Sequence, residues 1–191
     1  MKALLWVFVA VGLAGCAAAP PTVYYRMAAQ PGPVHDSAPL SIVVRGIGLP
    51  GYLDQTGIAK PAGAYEFASY ANALWAEPLG DMLQSVMVQD LAQALPEATV
   101  TASGGAVGAA PGVLVEINIL RFDPDPYGRM RLLAQVAVKT GPERTLCGAK
   151  TLQSSAAPDA GVTGIVAAMS GLWAGAAGQV ADMVEDCPTA P

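Results

Sequence analysis

The chain has 191 residues, with 10 Lys and Arg residues against 15 Asp and Glu residues. Its net charge of −5 at pH 7, with no clustered basic residues, argues against nucleic acid or anionic lipid headgroups as the main partner. Ala and Val make up most of the 53% hydrophobic fraction, so the composition does not predict a polytopic membrane protein.

The N-terminal segment has the layout of a bacterial secretory signal that ends in a lipobox. Lys2 precedes an apolar stretch at 3–12 that is too short to span a bilayer, and Leu13-Ala14-Gly15-Cys16 follows directly. We expect residues 1–15 to be removed and Cys16 to become an acylated N-terminus. An ordinary signal peptide and a lone apolar helix are the alternatives.

The residue after Cys16 bears on the destination of the mature protein. Ala17 stands there, whereas Asp is the commonest signal for retention in the inner membrane. We therefore expect a lipid-anchored protein of the outer membrane that faces the periplasm. Residues 16–22 are predicted to form a tether. Residues 23–188 are predicted to form a single periplasmic domain, because this length suffices for one hydrophobic core.

The three cysteines divide into one acylation site and one pair. With Cys16 acylated, Cys147 and Cys187 are left in an oxidising compartment, which predicts a disulfide between them. Closing a loop of about 40 residues would stabilise the fold by about 4 kcal/mol in the chain-entropy picture. Two unpaired buried thiols are the alternative, and the spacing fits no zinc motif.

The first half of the mature chain is predicted to form three strands and one helix. The strands fall at 23–27, 41–49 and 65–75, with a short extended piece at 58–59 and a Pro-rich loop at 30–39. An amphipathic helix begins near Pro78 and ends before Pro96. Its apolar residues recur at helical spacing, which predicts that one face lies on a sheet.

The second half is predicted to form further strands and a long helix. The strands fall at 99–102, 113–122, 129–140 and 145–154, the last two joined as a hairpin. A Gly- and Ala-rich helix covers 161–185. Residues 161–181 carry no charge, so a membrane span is an alternative for this helix. Its low mean hydropathy and the acidic residues after it favour a helix packed closely on the sheet.

No group of residues forms a convincing active site. The single histidine, His35, lies in the Pro-rich loop, which favours surface exposure over a rigid Ser–His–Asp triad. Asp123 and Asp125 alternate with proline, which indicates a turn with solvated carboxylates rather than a Ca²⁺ site. Glu116 and Asn118 are interpreted as the polar face of a strand. We expect no catalytic residue, no metal ligand, no cofactor and no enzymatic activity.

Several segments resemble a known family. The segment RGIGLPGYLDQ at 45–55 and the segment LWAEPL at 74–79 resemble the ABC-type transport auxiliary lipoproteins, as do the lipobox and YYRM at 24–27. Their order and spacing match over nearly the whole mature chain. Gln55 stands where the family commonly has a basic residue, and the residues after it lack the usual Arg-rich continuation.

The resemblance implies an α/β (α+β) domain with a mostly antiparallel sheet and two helices packed on one face. It also implies a non-enzymatic accessory or docking subunit of an intermembrane lipid-transport system. Its partners would be an MCE-domain (mammalian cell entry) protein and the inner-membrane components, and a homo-oligomer around the MCE conduit would match that role. A lipoprotein of another envelope complex (secretion, pilus or peptidoglycan-linked) is the alternative. A periplasmic hydrolase is a third hypothesis, which loop-bound His35 argues against.

Aromatic residues are the candidate contacts with such a partner, because they supply much of the energy at interface hot spots. The candidates are Tyr24, Tyr25, Tyr52, Tyr65 and Trp75. The strand at 23–27 could add a further contact, by pairing its edge with a neighbouring subunit or an MCE partner. For Trp75, packing in the core at the strand-to-helix corner is the favoured alternative.

Overall fold

The computed structural model describes residues 20–35, 38–107 and 112–187. The lipobox, with Cys16, lies outside the described residues. Within them the chain forms eight strands and two helices. In chain order these are β1 (Val23–Tyr25), β2 (Ser41–Val44), β3 (Gly57–Pro61), β4 (Phe67–Trp75), α1 (Leu79–Ala94), β5 (Thr99–Ala102), β6 (Val113–Pro124), β7 (Met130–Thr140), β8 (Thr145–Ala156) and α2 (Gly161–Glu185).

The larger sheet has five strands in the order β5-β2-β6-β7-β8. β2 lies parallel to both of its neighbours, while β6, β7 and β8 form an antiparallel meander. Beyond β2 the chain continues along β6, where Gly48 N–H donates to the Ile117 carbonyl (3.0 Å) and the Gly48 carbonyl accepts from Ile119 N–H (2.8 Å). The predicted strand at 41–49 is therefore interrupted after Val44 but keeps its direction.

The smaller sheet has three strands in the order β1-β4-β3. β1 is parallel to β4, with Tyr24 opposite Leu74, and β3 is antiparallel to β4, with Pro61 opposite Phe67. Tyr24 and Phe67 therefore lie at opposite ends of β4. At about 3.3 Å per residue, the seven steps from Phe67 to Leu74 separate the two ends by about 23 Å.

Both helices pack on the same face of the five-stranded sheet. α1 contacts β2 and β5, α2 contacts β6, β7 and β8, and the helices contact each other. Trp173 of α2 is fully buried, and its Nε1–H donates to the Leu83 carbonyl of α1 (3.0 Å). The alternating residues of β7 that point toward the helices are buried as well: Met130, Leu132, Ala134, Val136 and Val138. This layer between helices and sheet is the hydrophobic core.

The long helix α2 could cross a membrane by length and composition alone, with a mean hydropathy of 1.3 over 18 residues. Half of that stretch is buried within the domain. α2 also lies against three strands and α1 through Trp173. Its apolar character is thus explained by packing in the core, as the favoured interpretation expected.

A disulfide joins β8 to the end of α2. It links Cys147 and Cys187, whose Cα atoms are 5.7 Å apart and which lie 40 positions apart in the chain. Cys187 is buried, at 5% exposure. The covalent bond therefore attaches the last turn of the helix to the outer strand of the sheet.

The α+β class is confirmed, with two helices on one face of a sheet. The strands, however, form two sheets rather than one, and the shorter strands β1, β2 and β5 pair in parallel. Alternation of apolar residues indicates which face of a strand is buried but not which strand is its neighbour. For that reason the sequence predicted strands at these positions without predicting their pairing.

Candidate docking surface

The segment at 45–55 ends in a turn that orients Tyr52. Leu53 N–H donates to the Pro50 carbonyl (2.9 Å), Gln55 Nε2 donates to the Tyr52 carbonyl (2.8 Å), and Leu53 is 3% exposed. The Tyr52 hydroxyl therefore reaches β6 and donates to Asp123 Oδ2 (2.6 Å). Burial raises the pKa of Tyr52, and its hydrogen bond to Asp123 raises it further. The hydroxyl thus remains a neutral donor.

The expectation of solvated carboxylates at 123 and 125 is wrong, although the predicted turn is present. Asp123 and Asp125 are both buried. Arg121 Nε donates to Asp123 Oδ1 (2.8 Å), and Arg131 Nε donates to Asp125 Oδ2 (3.0 Å). Desolvation raises the pKa of Asp125, but hydrogen bonds from two backbone N–H groups of the turn and from Arg131 outweigh it and lower the pKa. Both carboxylates therefore serve as buried hydrogen-bond acceptors that stabilise the fold.

An exposed aromatic group lies where the β3–β4 hairpin meets Tyr52, and we call it the aromatic tip (Tyr52, Tyr65 and Phe67). The ring centroids of Tyr52 and Phe67 are 4.5 Å apart in a stacked arrangement. Phe67 is 52% exposed and Tyr65 99% exposed. Because Tyr52 is fixed by Asp123, the exposed face of Phe67 is held in place before any partner binds. Phe67 was not among the sequence candidates, although it lies in the predicted strand at 65–75, two residues after Tyr65.

The remaining aromatic candidates lie at the other end of β4. Tyr24 is 66% exposed, whereas Tyr25 is half-buried against the core. Trp75 is 5% exposed and packs in the core, as the favoured alternative for this residue predicted, so it offers no surface to a partner. The five candidates therefore do not form one surface.

The two longer family-like segments meet in the fold. Trp75 N–H donates to the Thr56 carbonyl (2.8 Å). A cleft of about 390 Å³ lies between the segments and is lined by residues 54–56 and 75–79. Residues about 20 positions apart in the sequence thus lie next to each other and line one cleft at the start of α1.

The face of the larger sheet that points away from the helices is polar. It carries a cleft of about 720 Å³, which includes Asn118. Glu116 accepts hydrogen bonds from Lys139 Nζ and from an Arg45 guanidinium nitrogen, each at 2.7 Å. These two bonds lower the pKa of Glu116. The interpretation of Glu116 and Asn118 as a polar strand face agrees with this placement.

The expectation that His35 is exposed at the surface is wrong, because its loop packs on the helices. Its backbone N–H donates to the Ala94 carbonyl at the end of α1 (2.7 Å), and its side chain is 14% exposed. Nδ1 faces Glu185 Oε2 (3.1 Å) and Asp182 Oδ1 (3.5 Å). The ring's neighbours in the described chain are thus two carboxylates, not the hydroxyl or thiol of a nucleophile.

Fold and surface together define a class: an α+β domain with an exposed, internally supported aromatic tip. The model of a family described as the ABC-type transport auxiliary lipoprotein component matches residues 25–181, and the chain belongs to this family. The resemblance drawn from the sequence is therefore confirmed, as is an association with transport at the level of the family.

Two solved structures share the fold. A crystal structure of an uncharacterized protein superposes with a TM-score of 0.72 at 17% identity, covering 86% of this chain and 99% of that one. The protein XCC0632 from Xanthomonas campestris gives a TM-score of 0.64 at 17% identity, covering 86% and 92%. No curated protein matches the sequence.

Proposed function

We propose that this protein is an outer-membrane lipoprotein that serves as a non-enzymatic docking subunit of an MCE-type intermembrane lipid-transport system. Membership of the transport auxiliary family supports a role beside a transporter. The lipobox ending at Cys16, followed by Ala17, supports an anchor in the outer membrane. The observation that carries the docking role is the aromatic tip.

The tip has the physical properties of an interface hot spot. Phe67 and Tyr65 expose large apolar surfaces, which a partner can bury. The stack of Phe67 on Tyr52 and the bond from Tyr52 to Asp123 fix the Phe67 ring in advance, so little of its side-chain entropy is lost on binding. Such a preorganised group favours a protein partner with a complementary apolar pocket.

Assembly of several copies is part of the proposal. β8 has 12 residues, and among the described strands it has a neighbour on one side only. An unpaired edge of this length offers backbone N–H and C=O groups to a strand of another chain. A homo-oligomer that pairs through this edge would surround the MCE conduit with several aromatic tips.

The decisive experiment is an affinity purification of the tagged full-length protein from gently solubilised envelopes, followed by mass spectrometry. Recovery of an MCE-domain protein is the expected result. Recovery of secretion, pilus or peptidoglycan-linked proteins alone would replace the proposal with the alternative, a lipoprotein of another envelope complex.

The docking surface is tested with variants in the same purification. Replacing Tyr65 and Phe67 together by Ser should lower the recovered MCE protein by at least about tenfold, because truncating a hot-spot residue costs about 2 kcal/mol or more and about 1.4 kcal/mol is a factor of ten. Tyr52 is kept, so that its bond to Asp123 continues to support the fold. The matched control is Tyr24→Ser, an exposed aromatic at the far end of β4. Equal recovery from the tip variant and the control would contradict docking at the tip.

A further inference from the structure

Three side chains that can bind metals meet beside the last turn of α2. They are His35 from the Pro-rich loop and Asp182 and Glu185 from the helix, and we call them the histidine–carboxylate cluster. One donor atom from each lies within 4.8 Å of the other two. His35 and Glu185 are 150 positions apart, so the fold alone brings them together.

The distances from His35 Nδ1 to the two carboxylates match a small divalent cation. Zinc binds imidazole nitrogen and carboxylate oxygen at about 2.1 Å, in a nearly tetrahedral arrangement. Bonds of that length at a tetrahedral angle place neighbouring donor atoms about 3.4 Å apart. His35 Nδ1 lies 3.1 Å from Glu185 Oε2 and 3.5 Å from Asp182 Oδ1, on either side of that distance.

The cluster is positioned by the surrounding fold. The backbone of His35 is held by its bond to the Ala94 carbonyl. Asp182 and Glu185 are three residues apart on a helix, so they share one of its faces. The disulfide at Cys187 then attaches this end of the helix to the sheet. Little reorganisation would be needed for a cation to bind.

Charge and access also favour a cation. Two carboxylates face one imidazole, and within residues 20–35, 38–107 and 112–187 neither carboxylate forms an ion pair with Lys or Arg. A cleft of about 470 Å³, lined by Gln30 and Gln179 as well as by His35 and Asp182, opens beside the cluster. The cleft provides an entry path and room for a water molecule as the fourth ligand.

We propose that His35 Nδ1, Asp182 Oδ1 and Glu185 Oε2 bind a zinc ion that joins the Pro-rich loop to the end of α2. The ion neutralises the two carboxylates and stabilises the contact between loop and helix. Zinc is favoured over calcium because an imidazole nitrogen is one of the three ligands, whereas calcium prefers oxygen ligands alone.

The test is calorimetric titration of zinc chloride into the full-length protein, purified in detergent and freed of metal with a chelator. One zinc ion per chain should bind and raise the melting temperature. His35→Gln and Asp182→Asn should each weaken zinc binding by at least tenfold, since even loss of a group outside the ligand set costs roughly that much. Asp186→Asn is the matched control: it removes an exposed carboxylate next to the cluster and should leave zinc binding unchanged.

Cobalt(II) gives an independent readout, because its visible spectrum reports the ligands. A cobalt absorption band that appears with the natural protein should be absent in His35→Gln. Zinc binding that survives in His35→Gln, or that falls equally in Asp186→Asn, would overturn the proposal. A melting temperature that does not respond to zinc would likewise overturn the proposal.

Discussion

Asp90 lies on the face of α1 that packs into the core, and it is 4% exposed. Its Oδ1 accepts the backbone N–H of Gln30 (2.9 Å), whereas Oδ2 has no hydrogen-bond partner among the described groups. Burial raises the pKa of Asp90 from 3.8 to about 6, against the lowering effect of the Gln30 bond. The folded protein therefore holds this proton more tightly than the unfolded chain does. Stability from this group is present below pH 3.8 and is lost as the pH rises through about 6.

Replacing Asp90 by Asn removes this charge and keeps an acceptor for Gln30. At pH 7.5 the variant should be more stable than the natural protein by about 1–3 kcal/mol, since each unit of pKa shift corresponds to about 1.4 kcal/mol. Near pH 4 the difference should disappear. Urea unfolding at both pH values measures the effect, and Asp81→Asn, an exposed carboxylate of the same helix, is the control. A difference that does not depend on pH would contradict the assignment.

The role of a residue was predictable where neighbouring residues in the sequence determine it. It was not predictable where a residue distant in the sequence determines it. The turn after Asp123 follows from its Pro and Gly residues, but the bond to Tyr52 joins residues 71 positions apart. His35 lies in a Pro-rich loop, as predicted, yet the carboxylates that face its imidazole come from the opposite end of the chain. A local sequence pattern carries no information about such distant pairs. The carboxylates of Asp123 and Asp125 were therefore wrongly expected to be solvated, and His35 was wrongly expected to be exposed.

The disulfide between Cys147 and Cys187 links β8 covalently to the end of α2. Alkylation mass spectrometry of the unreduced protein should find both Cys147 and Cys187 protected from the reagent, and the reduced protein should label at both. Replacing both by Ser should lower the free energy of unfolding by about 2–4 kcal/mol, because the unfolded chain regains the freedom of a loop of about 40 residues. Two reactive thiols in the unreduced sample would contradict the bond.

Elements with a strong periodic pattern were predicted closely. α2 was expected at 161–185 and is observed at Gly161–Glu185, and α1 ends before Pro96 as expected. The meander of β6, β7 and β8 also agrees with its predicted strands to within two residues at each end. The small sheet was less predictable, because β1 and β3 are short and their pairing with β4 depends on contacts across the domain.

At the scale of the whole molecule, the proposed lipid anchor at Cys16 determines where we expect the domain to work. Cys16→Ser should leave the fold intact and abolish anchoring in the outer membrane, because the acyl chains proposed to hold the protein there are missing. Membrane fractionation measures this outcome. Ala17→Asp is the paired variant, which keeps the acylated cysteine and should move the protein to the inner membrane. Cys16→Ser protein that still sediments with the outer membrane would contradict the anchor.

The position of β2 between β5 and β6 has a consequence for how the chain folds after the proposed export. β2 is translocated early, but its two neighbours, β5 and β6, begin 58 and 72 positions after Ser41. The pairing of β2 therefore requires a long loop to close, and this makes its folding slow. The hairpins of β6, β7 and β8 are local and form readily. During that interval the apolar edge of β2 is open to aggregation. We expect this lipoprotein to depend on periplasmic chaperones until residue 124 has crossed the inner membrane.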